Sequence, residues 1–225
     1  MNFRLPSALL AAGALAFTTA ACGDDENTSS AATPSSSAEA TTPEPAAKID
    51  ALTGKSTAVT LDAGFVEALT SLKVTPGPVG DAKISDAGVA TFPITGGNVT
   101  YYSPDSGVSP YVQGLINHDG SGLSLEAGGK KVELENFDVD PGKSVLTGDV
   151  SVDGKEAVAD APLFFLDGRT LKPLEAKDDG TAVLEGTTVK LKQEAADLLN
   201  ETFGIDALKA GLVIGVAKIT VNTGA

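Results

Sequence analysis

Across 225 residues this chain has one cysteine, one histidine, one methionine and no tryptophan. Each scarcity removes a class of chemistry. A lone cysteine closes no intramolecular disulfide, so stability has to come from a packed core. Zinc hydrolases draw on about three protein ligands, commonly histidine with carboxylate or cysteine, and a single histidine does not supply that set. A Ser-His-Asp triad would have to use His118, yet no Gly-x-Ser-x-Gly elbow occurs anywhere in the chain. Ser121 shares the glycine-flanked stretch "NHDGSG" with His118, where both side chains are expected to be solvated at the end of a hairpin. Sugar hydrolases set two carboxyls across a cleft with aromatic platforms, and only 5% of these residues are aromatic. Positive charge is also short. The 16 Lys and Arg face 30 Asp and Glu, a net charge of -14, which argues against nucleic acid as a partner because phosphate binding needs a positive surface.

Acidic residues are plentiful, as in Asp138 with Asp140, Asp149 with Asp153, and Asp178 with Asp179. Most sit in "DPG", "VDG" or "DDG", where an Asp side chain bonds the turn backbone, and the EF-hand calcium pattern is absent. No catalytic residue and no metal ligand is assigned, and the reading is non-enzymatic.

The N-terminus carries an address. Residues 1–21 run from a basic residue, Arg4, through an uncharged Ala/Leu-rich stretch to small residues. That order is the layout of a secretory signal. The run is too short and too alanine-rich for a spanning helix, which needs about 20 strongly apolar residues. Thr19, Ala20 and Ala21 precede Cys22, and this resembles a bacterial lipobox, with Thr19 where Leu is usual. The resemblance implies lipidation of Cys22, a membrane partner through that anchor, and a place on the outer face of a bacterial cell membrane. Residues 22–47 are rich in Ser, Thr, Ala, Pro and Glu, a composition that buries too little surface to offset its ordering entropy. As a flexible tether it would span about 25 to 30 Å on average.

Residues 48–225 read as one β-rich domain. Short runs such as "TAVTL", "VATFPI", "NVTYY", "YVQGLI", "GLSLEA", "KVELENFDV", "SVLTGDVSV" and "APLFFL" alternate in polarity or carry β-branched residues. Turn signals at "AGGKK", "DPGKS", "VDGKE" and "DDGTA" separate them at hairpin spacing. In "KKVELENFDV" the apolar face switches sides near Asn136, which predicts a bulge. Residues 57–84 also resemble residues 187–219: each reads strand, helix, loop, strand, with Leu61 over Leu191 and Leu69 over Leu199. Asp62 suits the N-cap of the first helix and Gly204 the left-handed end of the second. The expected fold is mainly β, an antiparallel sandwich flanked by two short helices, with the two copies of the duplicated strand-helix-strand element side by side as a pseudo-symmetric pair.

The remaining candidates for binding are Tyr101, Tyr102, Tyr111 and His118, since a hairpin could bring Tyr111 within reach of the histidine and tyrosine is an established heme ligand. The stretch "YVQGLINHDGSGLSLEAGGKKVELENFDVD", with "SVLTGDVSVDG" and "APLFFLDG", resembles exported actinobacterial β-rich proteins and, more distantly, the HtaA-type heme-binding domain. His118 and Gly120 map onto that family's His-x-Gly turn. The family's iron-binding tyrosine falls early in its domain, where this chain has "AGFVEALTS" without tyrosine. The leading functional expectation is an extracytoplasmic envelope lipoprotein that binds a small molecule or a surface component, or serves a structural role. The alternative implied by the resemblance is heme capture, and an envelope hydrolase is the third reading. Mass spectrometry of the mature native protein should find a diacylglycerol-modified Cys22 as its first residue. An unmodified start at Met1 would contradict the address.

Overall fold

The computed structural model describes residues 43–223. The signal segment 1–21, Cys22 and the tether as far as residue 42 lie outside the described residues. In chain order the elements are β1 (Ala47–Ile49), β2 (Lys55–Leu61), α1 (Ala63–Leu72), β3 (Thr75–Gly80), β4 (Lys83–Ile84), β5 (Val89–Pro93), β6 (Gly96–Tyr101) and β7 (Val112–Ala127). They continue with β8 (Lys130–Asp140), β9 (Val145–Val152), β10 (Lys155–Asp167), β11 (Glu175–Ala176), β12 (Thr181–Leu191), α2 (Gln193–Phe203) and β13 (Val213–Asn222). The fold is mainly β, every strand pairing is antiparallel, and the hairpin turns fall where Gly, Asp and Pro cluster.

The two walls expected of a sandwich belong to one continuous curled sheet. Its main path runs β6-β7-β8-β9-β10-β12-β13-β2-β5. β5 and β6 are consecutive in the chain, and the two residues between them keep the ladder going. Ile94 N–H donates to Lys55 O at the start of β2 (3.0 Å), and Thr95 N–H donates to Asn117 O on β7 (2.9 Å). Segment 89–101 is therefore one bent strand with β2 on one edge and β7 on the other, and the curled sheet closes on itself as an eight-membered ring. Closure removes the exposed edges that open sheets have to protect.

Both helices follow the C-terminal ends of strands that flank β13, at the pole where β13 begins. Asp62 caps α1 as expected, its Oδ1 accepting from the N–H groups of Gly64 (2.9 Å) and Phe65 (3.3 Å). Gly204 ends α2 at φ 67°. α1 packs on β3 and β13, α2 on β8 and β10. The two copies of the repeat meet through the sheet, with β13 between β2 and β12. Their last strands differ. The second copy continues as β13, whereas the first turns at Gly80 (φ 57°), so that Val79 pairs with β7 and Lys83 with β5. A side chain at Gly80 would also run into Gly120 O.

The bulge near Asn136 is present. Asn136 takes φ 52°, its Oδ1 accepts from Gly120 N–H (2.9 Å), and its amide donates to Asp149 Oδ2 (2.9 Å). The face switch buries Val132 and Leu134 before it and Phe137 and Val139 after it. The facing irregularity lies on β7. "YVQGLI" and "GLSLEA", read from sequence as two strands joined by a turn, form one 16-residue strand with a register shift between His118 and Gly122. Glycine is required at 122 by close approach, since a Cβ there would stand 2.1 Å from Leu134 O. Gly122→Ala should lower stability by about 3 kcal/mol, read from the midpoint of urea unfolding. An unchanged midpoint would contradict this packing.

Candidate functional site: an apolar cavity and its mouth

An eight-stranded ring has an interior just wide enough either to be filled by its own side chains or to hold one small ligand. Here the inward positions include Ala90, Ala182 and Ala217, whose short side chains leave the centre open. The result is a cavity of about 780 Å³. Its walls are aliphatic and aromatic, with Val59 from β2, Phe92 from β5, Ile116 from β7, Val139 from β8, Leu166 from β10 and Val189 from β12. Cavities of roughly 300 to 1,000 Å³ lined in this way are typical of small-molecule sites.

His118 lies partway down this wall and is 1% exposed, which corrects the expectation of a solvated turn residue. Its Nδ1 faces Phe137 O at 3.1 Å and its Nε2 faces Thr57 Oγ1 at 2.8 Å. A carbonyl only accepts, so Nδ1 carries the proton and donates, while Nε2 accepts from the threonine hydroxyl. Phe92 stands edge-on to the imidazole, with ring centres 6.5 Å apart. Burial pushes the imidazole pKa below its ordinary value, and the bond to Phe137 O only partly opposes this. His118 is thus a neutral residue with both ring nitrogens occupied. Ser121, also fully buried, donates to His118 O (3.0 Å) rather than to the ring, so the pair is not a nucleophile and its base.

The mouth is built from β1, the end of β6, the loop before β7, the β8–β9 turn and the residues after β10. Tyr101 and Tyr111 meet there edge to face, with centres 5.8 Å apart and an interplanar angle of 90°. Burial, and then the neighbouring Tyr101, push the Tyr111 phenol pKa up, so it stays protonated at neutral pH. Tyr102 is not on the cavity wall; its backbone N–H donates to Tyr111 O (2.7 Å). Tyr111 and His118 do not approach each other across a hairpin. They stand on one strand line, separated by roughly 20 Å at about 3.3 Å per residue.

The mouth also holds a charged group that sequence reading missed. The Asp167 carboxylate, 8% exposed, accepts Arg169 Nε at Oδ1 (2.9 Å) and Arg169 Nη2 at Oδ2 (2.6 Å). Lys190 Nζ donates to the same Oδ2 (2.8 Å). The Arg169 fork, then Lys190, hold this carboxyl well below the usual carboxylate range. In the sequence "LDGRT" reads as a turn, and Lys190 lies 23 residues away. No pattern joined them. The turn reading holds for Asp140, which accepts from Lys143 N–H, and Asp179, which accepts from Thr181 N–H, whereas Asp153 accepts from Lys131 N–H across on β8. Among the described residues no group of three or more His, Cys, Asp or Glu is arranged to hold a metal ion.

No family model and no curated protein matches this chain. Among solved structures, the crystal structure of the C-terminal domain of HtaA from Corynebacterium glutamicum matches with a TM-score of 0.53 at 16% identity, covering 77% of this chain and 99% of that one. The chain shares that domain's fold. A domain-swapped dimeric variant of the same domain matches at 15% identity and a TM-score of 0.44, over 72% of this chain and 92% of the other.

The buried histidine makes stability depend on pH. Above about pH 6.5 the imidazole is neutral folded or unfolded. Below it the unfolded chain takes up a proton that the folded one resists, so folding stability falls as pH drops. His118 is the chain's only histidine, so the thermal midpoint should fall between about pH 7.5 and 5.5, and His118→Gln should flatten that slope. An equal slope in the variant would contradict the assignment.

Proposed function

We propose that this chain is a non-enzymatic lipoprotein of the bacterial envelope whose β-rich domain carries an apolar small molecule inside the closed sheet. The observation that carries the reading is the cavity of about 780 Å³, hydrophobic along its length and open at one pole. Catalysis has no support in it. The histidine is neutral and fully bonded, and the serine beside it bonds backbone.

The address fits this role. The lipobox resemblance at Cys22 supports an anchor in the outer face of the membrane, with the tether between anchor and domain. The described chain enters at β1, and Ala47, Lys48 and Ile49 line the cavity near its mouth. A lipid anchor at Cys22 would hold the domain near a source of apolar molecules. Among the described residues no helix is long and apolar enough to cross a membrane.

Heme capture, the second reading, draws on the shared fold and the tyrosines at the mouth. The residues present do not fit an iron-ligating set. His118 has both ring nitrogens bonded and is remote from the tyrosines, and α1 carries no tyrosine.

N-phenyl-1-naphthylamine, a neutral dye that fluoresces in apolar surroundings, should bind the full chain with a saturable increase in emission. Ala217→Phe, which places a ring in the cavity from β13, should abolish that increase while circular dichroism stays that of the folded protein. No increase with the wild type, or an equal one in the folded variant, would refute the proposal.

A further inference from the structure

Resting on the cavity reading, we infer that the ligand is a long-chain monocarboxylic acid, its tail along the barrel interior and its carboxylate at the mouth against Arg169, with Lys190 adding positive charge behind Asp167. The polarity of the two ends of the cavity carries the argument. Down the wall His118 and Thr57 are bonded to each other, and Thr187 on β12 adds an uncharged hydroxyl. No charged side chain lies there, so a ligand along this path carries its charge at one end only.

At the mouth the charge does not cancel. Lys48 is paired with Asp50 (2.6 Å) and Lys143 with Asp140 (2.9 Å), one cation to one anion in each case. Asp167 instead holds two cations, which leaves the Asp167, Arg169 and Lys190 group with one net positive charge. Donors are also left over. Arg169 uses Nε and Nη2 on Asp167, its side chain is 82% exposed, and among the described residues no other side chain bonds it. Lys190 gives one of its protons to Asp167 and keeps the others. Asp167 and Arg169 line the mouth, whereas Lys190 reaches the same carboxylate from the neighbouring strand without lining the cavity.

One net charge suits a monoanion, and the planar guanidinium edge matches a carboxylate. The aromatic rings of Tyr101 and Tyr111 rim the same opening. From Tyr111 to His118 the wall follows roughly 20 Å of strand, the scale of an extended long-chain acid rather than of a compact ring system. The chain as a whole carries a charge of -14, which repels anions at long range. The head is therefore held by short-range bonds after the tail has entered.

The test uses the full chain with cis-parinaric acid and its methyl ester, two fluorescent probes with the same tail and different heads, titrated at neutral pH. The acid should bind about tenfold tighter than the ester. Arg169→Gln with Lys190→Gln should bring the acid down to the level of the ester. That double variant strands the Asp167 carboxylate, so Asp167→Asn/Arg169→Gln/Lys190→Gln, which removes all three charges together, provides the second reading and should give the same result. Ester binding with no acid advantage would overturn this inference and leave the cavity reading standing. An acid advantage that survives in the folded triple variant would overturn it as well. Failure of both probes to bind would overturn the cavity reading and this inference with it.

Discussion

The structure depends on one closure, made where residues 89–101 pass from β2 to β7. Two backbone bonds, from Ile94 to Lys55 and from Thr95 to Asn117, carry the ladder across the bend. Next to that bend His118 reaches over from β7 to Thr57 on β2 and holds Phe137 O on β8, so three strands are tied by one imidazole. A sheet of this composition left open would bring its apolar faces into direct contact and fill its own core. Closed as a ring, it encloses a hollow, and the alanines on its inner face keep that hollow from being occupied.

The same closure decides what His118 is for. In a solvated loop the residue would titrate near its ordinary pKa and be free to ligate. Within the wall it is desolvated, fixed as one tautomer and spent on the scaffold. The polar chemistry of the cavity is displaced to the mouth, where Asp167 gathers Arg169 and Lys190 from neighbouring stretches of chain. The residues that tie the ring are thus distinct from the charged group at the mouth.

Much of the fold was legible in the sequence because it rests on local rules. Alternation marked the strands, Gly and Asp marked the turns, Asp62 and Gly204 bounded the helices, and the reversal of polarity at Asn136 marked a bulge. Closure was not legible, since it depends on which distant strands pair, and β2 with β13 joins residues some 160 apart. Nor was the hollow, because an inward row of apolar residues reads alike whether the interior is full or empty. "NHDGSG" misled for a definite reason. Its glycines serve a bulge and a close strand approach in mid-strand, and the residue types are those of a tight turn. Of the candidate residues, Tyr101, Tyr111 and His118 do line the cavity, but the pairing expected between Tyr111 and His118 is replaced by Tyr111 with Tyr101.

The central claim is that the closed sheet is a container. Native mass spectrometry of the protein, purified from the cells that make it, tests this most directly. The account predicts a bound species one small hydrophobic molecule heavier than the bare chain, released on collisional activation. A protein that carries nothing from those cells, and stays at the bare mass after equilibration with lipid extract, would contradict it.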